Sequence, residues 1–404
     1  MSSSPRTPRE TPRIPDAALD RHRGQDKQEV RPAKAPKAVK PLATGPVLPS
    51  MARGGPGRTG RFLGLDPAPR ALSASGEISL GKELGVPAVA LGWSVFALSA
   101  RGRLTALDLE NGKVRWSLDL APRARTAAAV SNDRVFVVDG EGQVMSLSAE
   151  RGERQWTTRV PGAGDLDPLP LGERLLVGTR GGFLVALSPR SGERLWEHRQ
   201  RRGFVHAAAM PEGGLIVTSL EPGVSRLDPA TGQVIWTHRL PLASMVHPVA
   251  LSEAILVLDV GGQLHCLDPD TGKVRWVIQG LGFRSFAPAA SGAAAYVSTR
   301  KGLLYALSTQ DGSIMWVKPL GRAATAPPVI AGEALYVLTA RPGLKGIRLD
   351  SGGHFLAHRL PAPVRVEPVF LPRGLALLDR QGMLRSYQGL PGKPSPPASQ
   401  EKDL

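Results

Sequence analysis

Residues 227–236 read LDPATGQVIW and residues 267–276 read LDPDTGKVRW, so one ten-residue pattern returns after 40 positions. The tryptophan that ends the pattern recurs with the same spacing along most of the chain. Its positions are Trp116, Trp156, Trp196, Trp236, Trp276 and Trp316. A glycine stands four residues before each of them. A period kept without insertion over about two hundred residues predicts a repeat architecture, in which one structural unit is copied.

Each 40-residue unit has the apolar pattern of short β-strands. In residues 127–160 apolar residues alternate or cluster in short runs, and Asn132, Gly140 and Gly152 mark the turns between them. This pattern predicts four antiparallel strands per unit. We name them A to D and place them near residues 127–131, 134–138, 143–147 and 153–160. Because one such sheet cannot bury both of its faces, the sheets are expected to stack around an axis as a β-propeller.

The number of repeats predicts an all-β, eight-bladed β-propeller of four-stranded antiparallel blades. Seven complete units end near residue 360, and residues 366–387 then supply only strands A, B and C. The missing strand D is expected from residues 76–80, GEISL, which we align with residues 112–116, GKVRW. This closure predicts that Ile78 pairs beside Leu384 and that the propeller spans residues 72–388.

The pattern Leu-Asp-x-x-Thr-Gly-x-Val-x-Trp resembles the repeat of PQQ-type (quinoprotein-like) propellers, and eight such units resemble the BamB-type propellers that bind no quinone. The resemblance implies the fold over residues 72–388. It leaves the function open, because the same scaffold carries dehydrogenases, assembly factors and sensor domains.

For catalytic members, the resemblance implies a vicinal cysteine pair, a tryptophan platform and a calcium ion held by acidic and amide side chains. This sequence has one cysteine, Cys266, inside a predicted strand C, so the pair cannot form. The six repeated tryptophans stand at the start of strand D, where they resemble residues that dock one blade on the next. We therefore expect a non-catalytic scaffold without a cofactor, and a PQQ-dependent enzyme is kept as an alternative.

Both ends of the chain differ from the repeats in composition. Residues 1–71 hold 12 prolines and 14 Lys or Arg against 6 Asp or Glu, within a chain of net charge +16. Such segments bury too little apolar surface to fold, so disordered tails are expected at residues 1–71 and 389–404. The sequence contains no apolar run typical of a membrane span or a secretory signal, which predicts a cytoplasmic protein. An export signal upstream of the given start would instead place the protein in the cell envelope.

Loop charges predict a ring with faces of opposite sign. The B-to-C turns and D-to-A connections share one face and carry 13 bases against 6 acids, and the other face has the reverse balance. We expect a monomer that docks an acidic protein partner on the basic face, and the alternative is sequence-independent binding to nucleic acid or another anionic surface. A further alternative is that short turns favour Asp and Glu for their own geometry. The predicted docking residues are Arg101, Arg123, Arg125, Arg180, Arg201, Arg202, Arg284, Arg300, Lys301, Arg322, Arg341, Arg365 and Arg380.

Residues just before each strand A are expected to line the mouth of a central channel on the basic face. The polar candidates there are Asp165, Asp167, His206, His247 and Glu367. Asp167, His247 and Glu367 belong to the third, fifth and eighth blades, so we expect them to face one another across the channel. Because metal ligands must converge on one point, the sequence predicts no metal site here.

Overall fold

The all-β architecture expected from the repeat is present throughout the part of the chain that the structure describes. This structure is a computed structural model, and it describes residues 61–62, 71–80, 86–99, 102–120, 126–201, 203–221, 223–282, 285–341, 343–371, 374–379 and 381–390. These residues form 33 β-strands and no helix. None of the described residues therefore belongs to a helix long and apolar enough to cross a membrane.

The strands form eight antiparallel four-stranded sheets arranged in a ring, which confirms the predicted eight-bladed propeller. Two early strands, β1 (Arg61–Phe62) and β2 (Ala71–Ser79), pair with blades formed much later in the chain. Blade 1 consists of β3 (Val89–Leu91), β4 (Ser94–Leu98), β5 (Arg103–Asp108) and β6 (Lys113–Asp119), and blade 2 of β7 (Ala129–Ser131), β8 (Arg134–Val138), β9 (Gln143–Ser148) and β10 (Arg154–Arg159). Blade 3 consists of β11 (Leu169–Leu171), β12 (Arg174–Gly178), β13 (Phe183–Leu187) and β14 (Arg194–Arg199), and blade 4 of β15 (Phe204–Ala209), β16 (Leu215–Ser219), β17 (Gly223–Leu227) and β18 (Val234–Arg239).

The remaining blades continue the same order of strands. Blade 5 consists of β19 (Val249–Ala250), β20 (Ile255–Leu258), β21 (Leu264–Leu267) and β22 (Val274–Ile278), and blade 6 of β23 (Ala289–Ser291), β24 (Ala294–Ser298), β25 (Leu303–Ser308) and β26 (Ile314–Pro319). Blade 7 consists of β27 (Val329–Ala331), β28 (Ala334–Thr339), β29 (Gly343–Arg348) and β30 (His354–Arg359), and blade 8 of β31 (Val369–Leu371), β32 (Gly374–Leu378), β33 (Met383–Leu390) and β2. The strands of blade 2 lie within about two residues of their predicted positions. The A strands of most neighbouring blades contact one another, so the A strands surround the axis of the ring.

The ring closes where β2 pairs with β33, and Ile78 lies opposite Leu384 as the sequence predicts. The alignment behind that prediction is wrong by four residues, however. Gly76 lies opposite Ser386, at the place where Trp116 lies opposite Ala106 in blade 1. The 40-residue period therefore continues through the closure, and Gly76 corresponds to Trp116 rather than to Gly112.

The described residues also reach beyond the predicted domain limits. β2 begins at Ala71 and β33 ends at Leu390, so the last blade is longer than residues 72–388 at both ends. β1 lies inside the segment predicted as an N-terminal tail. The other residues of the two predicted tails lie outside the described residues.

The blades are held together by apolar side chains from neighbouring sheets. In one cluster, Phe96 and Leu104 of blade 1 pack with Val135 and Val137 of blade 2, and all four are almost fully buried. Burial of one such side chain contributes about 1.5–3 kcal/mol. Because each sheet contributes to clusters on both of its sides, the stability of a blade depends on its neighbours.

Each repeated tryptophan joins its blade to the next blade in the ring. The indole Nε1 of Trp196 donates a hydrogen bond of 2.9 Å to the carbonyl of Pro229. The indole also covers Gly232, where a Cβ atom would lie 2.5 Å from Cε3 of Trp196. The other five tryptophans donate in the same way to residues 33 positions later, at the C-to-D turn of the following blade. A glycine that lies under such an indole is therefore needed both for its turn and for the space that the indole fills.

Blade 8 lacks this tryptophan contact at both of its junctions. Leu356 takes the tryptophan position in blade 7, opposite Gly346, and Gly76 takes it in blade 8. A Cβ atom at Gly112 would accordingly meet no atom within 4 Å. At the junction of blades 8 and 1, Trp93 packs instead against the apolar cluster that includes Val95 and neighbouring side chains of both blades.

Candidate functional site

The loops of the propeller lie on two opposite faces, and backbone hydrogen bonds between loops show which loops share a face. The amide of Val160 donates to Gly142 O at 2.9 Å, and that of Leu320 donates to Gly302 O at 2.7 Å. These bonds join D-to-A connections to B-to-C turns. We call the surface formed by these two sets of loops the basic face. The A-to-B and C-to-D turns form the opposite face, where the amide of Ala149 donates to Asp133 O.

Seven of the thirteen predicted docking residues are described, and all seven are exposed on the basic face. They are Arg180, Arg201, Arg300, Lys301, Arg322, Arg341 and Arg365. The other six, Arg101, Arg123, Arg125, Arg202, Arg284 and Arg380, lie outside the described residues. The exposed cations belong to loops of blades 3, 4, 6, 7 and 8, so they are distributed around the ring.

Two of these cations have contacts that fix their position. The Arg180 guanidinium donates to Asp165 Oδ1 at 2.9 Å, and this hydrogen bond raises the pKa of Arg180. The guanidinium of Arg300 lies 4.9 Å from the centre of the Phe286 ring, a distance typical of a cation–π contact. Asp165, which the sequence analysis counts among the acids of the channel mouth, is therefore ion-paired with Arg180.

Three acids that the sequence places on the basic face are buried inside its turns. Asp139, Asp259 and Asp379 are each at most 2% exposed. The Oδ1 atom of Asp139 accepts hydrogen bonds of 2.8 Å from the amides of Glu141 and Gln143. Such side-chain-to-backbone bonds stabilise tight turns. The equivalent position in the other repeats carries Ser or Thr, and Ser99 Oγ likewise accepts a hydrogen bond from a backbone amide of its turn. A short polar residue that recurs at this position of each repeat is the sequence signal that Asp139, Asp259 and Asp379 are turn residues rather than docking residues.

The second carboxylate oxygen, Oδ2, has different surroundings in each of these three acids. Asp259 Oδ2 lies 3.3 Å from Nε2 of His265, and Asp379 is paired with Arg385. Asp139 Oδ2 has no hydrogen-bond partner among the described residues, because Met145 occupies the strand position equivalent to His265 and Arg385. Of the six acids counted on the basic face, Glu141 and Glu221 are the ones left exposed. The exposed surface is therefore more positive than the loop composition alone indicates.

The structure brings together three of the residues that the sequence assigns to the channel mouth, Asp167, His206 and His247. Oδ2 of Asp167 lies 3.4 Å from Nε2 of His247, and the rings of His206 and His247 are 4.0 Å apart between centres. Asp167 also accepts a hydrogen bond of 2.8 Å from the amide of Ala127. Glu367 is buried beside the start of β31 in blade 8.

The expectation that Asp167 and His247 stay apart across the channel is wrong. Asp167, His206 and His247 precede or lie within the A strands of blades 3, 4 and 5, which are consecutive. Because A strands surround the axis closely, side chains two blades apart can touch. Even so, no group of three or more His, Cys, Asp or Glu in the described residues is arranged to hold a metal ion.

The side chains that a bound quinone would require are elsewhere or missing. The single Cys266 is buried in strand C of blade 5, with its Sγ 3.8 Å from Thr309 O, and burial raises the pKa of its thiol to about 11. The repeated tryptophans are engaged at the blade junctions rather than in the channel. The residues present therefore do not fit the quinone site that the resemblance implies for catalytic members.

Comparison with protein families gives a match over most of the propeller. The family model described as outer membrane protein assembly factor BamB matches residues 61–215 and 221–368. The chain belongs to this family. A search of curated proteins finds no match.

Solved structures show that the BamB-type fold is shared with enzymes. BamB from Moraxella catarrhalis matches with a TM-score of 0.65 and 17% identity, over 79% of this chain and 100% of that one. Quinohemoprotein alcohol dehydrogenase from Comamonas testosteroni matches with a TM-score of 0.70 and 12% identity, over 88% and 82%. A europium-containing methanol dehydrogenase matches with a TM-score of 0.68 and 13% identity, over 84% and 89%. At these identities the likeness concerns the fold alone.

Proposed function

We propose that this protein is a non-catalytic scaffold that docks an acidic surface of a partner protein on its basic face. The observation that carries the proposal is the contrast in exposure on that face. Seven described cations are exposed there, while Asp139, Asp259 and Asp379 are buried in the turns. A surface of this kind attracts an acidic partner and repels a basic one.

A protein partner is favoured over nucleic acid by two observations. The family is described as an assembly factor for outer membrane proteins, and the described residues form no helix that could enter a DNA groove. The misfit of Cys266 and the tryptophans to a quinone site supports the non-catalytic assignment. The family description also makes the cell envelope a compartment to test beside the cytoplasm.

Charge reversal at four exposed sites tests the docking surface. The variant combines Arg201→Glu, Lys301→Glu, Arg322→Glu and Arg365→Glu, which leaves the contacts of Arg180 and Arg300 intact. The control combines Lys113→Glu, Arg151→Glu, Arg190→Glu and Lys273→Glu, at or beside the C-to-D turns of the opposite face. Each set changes four charges by two units, so both lower the net charge from +16 to +8.

The two variants are compared with the unmodified protein in affinity capture from extracts of separated cytoplasm and envelope, each with and without nuclease treatment. Binding measurements on the captured partner follow. At about 0.5 kcal/mol for each exposed charge contact, four reversals are expected to weaken binding about thirty-fold or more. The control should bind within about three-fold of the unmodified protein, and both variants should keep its Tm because the substituted residues are exposed.

Equal loss of binding in both variants would show that net charge, rather than the basic face, controls the interaction. Binding that is lost after nuclease treatment would identify nucleic acid as the ligand and overturn the protein-docking proposal. Retained binding in the basic-face variant would show that the partner uses a different surface.

A further inference from the structure

The strand β1 occupies the inner edge of blade 7. Arg61 lies opposite Ile330 and Phe62 opposite Ala331, in parallel pairing with β27. The other edge of β27 is occupied by β28, and strand A is the innermost strand of each blade. β1 therefore lies on the axial side of the sheet, in the central channel, and it also lies against β23 of blade 6. It is the fifth strand of this sheet, whereas the other seven sheets have four described strands each.

The hairpin geometry of blade 7 identifies the backbone groups that face β1. Ala331 and Ala334 flank a two-residue turn and pair with each other, so their N–H and C=O groups bond across the hairpin. Groups of successive residues point to opposite edges of a strand, so the N–H and C=O of Ile330 point into the channel. Because Phe62 pairs with Ala331 in parallel register, the Phe62 N–H then faces the Ile330 carbonyl.

The small residues of the neighbouring blade explain why a strand fits at this point. β23 consists of Ala289, Ala290 and Ser291, whereas the inner strand of blade 8, for example, reads Val-Phe-Leu. Strand β23 therefore brings little side-chain volume to the region beside β27. An edge strand with free N–H and C=O groups pairs readily with an additional strand, and β1 satisfies this pairing here.

We propose that the inner edge of β27 is a peptide-binding edge, which the chain's own Arg61–Phe62 segment fills and from which an extended strand of a partner protein can displace it. Recognition of this kind takes most of its affinity from backbone hydrogen bonds. Because β1 competes for the same edge, the apparent affinity of a partner equals its intrinsic affinity multiplied by the fraction of molecules in which the edge is free. The site is separate from the charges of the basic face, so the inference goes beyond the proposed docking function.

Two proline substitutions in the full chain test the pairing. Phe62→Pro removes the N–H that faces Ile330, whereas Arg61→Pro removes an N–H that points away from β27 in the same strand. Hydrogen exchange at single-amide resolution reports the result. The Ile330 amide is expected to exchange at least ten-fold faster in Phe62→Pro and within about two-fold of the unmodified rate in Arg61→Pro. Equal exchange in the two variants, whether fast or slow, would overturn the assignment.

A peptide added in trans tests whether the edge is exchangeable. A fluorescent peptide of residues 56–66, PGRTGRFLGLD, is titrated against the full-length protein and against its Phe62→Pro variant. We expect at least ten-fold tighter binding to the variant, and no binding by a peptide that carries proline at position 62. Equal affinity for both proteins, or no binding to the variant, would refute a peptide-binding edge.

Discussion

Gly232→Ala, with Gly112→Ala as its matched control, tests how strongly the tryptophans constrain the blade junctions. Both glycines occupy the same turn with nearly the same backbone angle, φ +73° at Gly232 and +69° at Gly112. A Cβ atom at Gly232 would lie 2.5 Å from Cε3 of Trp196, whereas at Gly112 it would meet no atom within 4 Å. The two substitutions therefore share the backbone strain and differ in the clash with an indole.

The expected losses follow from these two contributions. A non-glycine residue at positive φ costs about 1–2 kcal/mol, and overpacking adds about 1–3 kcal/mol. We expect the free energy of unfolding to fall by about 1–2 kcal/mol in Gly112→Ala and by about 2–5 kcal/mol in Gly232→Ala. With an unfolding entropy of about 2.1 cal/mol/K per residue over roughly 320 residues, 1 kcal/mol corresponds to about 1.5 °C in Tm.

Differential scanning calorimetry of the purified variants measures this difference. Gly232→Ala is expected to melt about 3–7 °C below the unmodified protein, and Gly112→Ala about 1.5–3 °C below it. Equal losses of Tm in the two variants would show that the junction yields freely around the indole. That result would refute the tight contact between Trp196 and Gly232.

The remaining predictions concern buried ionisable groups. Asp379→Asn should lower the free energy of unfolding by about 1.5–3 kcal/mol in urea titrations, because it removes the buried charged partner of Arg385 while the ion pair of Arg385 with Glu77 remains. Asp139→Asn, at the equivalent turn, should cost less than about 1 kcal/mol because Asp139 Oδ2 has no hydrogen-bond partner among the described residues. Equal costs for the two substitutions would contradict this reasoning. Cys266 should resist alkylation at pH 8 until the protein is unfolded, since burial raises the pKa of its thiol to about 11. Because the pKa of the Cys266 thiol is higher in the folded than in the unfolded state, the contribution of this thiol to the free energy of unfolding is complete below about pH 8.5 and is lost as the pH rises toward about 11. A Cys266→Ala variant whose free energy of unfolding has the same alkaline pH dependence as that of the unmodified protein would disprove this.

Much of the fold was predictable because the repeat places equivalent residues in every unit. The strands of blade 2 lie close to their predicted positions, and Ile78 pairs with Leu384 at the closure. The match of Gly76 to Gly112 failed because a local pattern of glycine and apolar residues outweighed the 40-residue count. The contacts of the candidate site were less predictable, since Asp167 and His247 are 80 residues apart and meet only through the curvature of the ring.

The sequence by itself determined the repeating unit, the number of blades and the face on which each loop emerges, because strand alternation and turn chemistry are local properties. Only the tertiary structure decided which charges on that face are exposed. Asp139 and Glu141 belong to the same turn, yet one is buried against backbone amides and the other is exposed. The tertiary structure also decided that β1 pairs with β27, since that contact joins residues about 270 positions apart. Pairing over such distances depends on how the blades close around the axis, which no local pattern specifies.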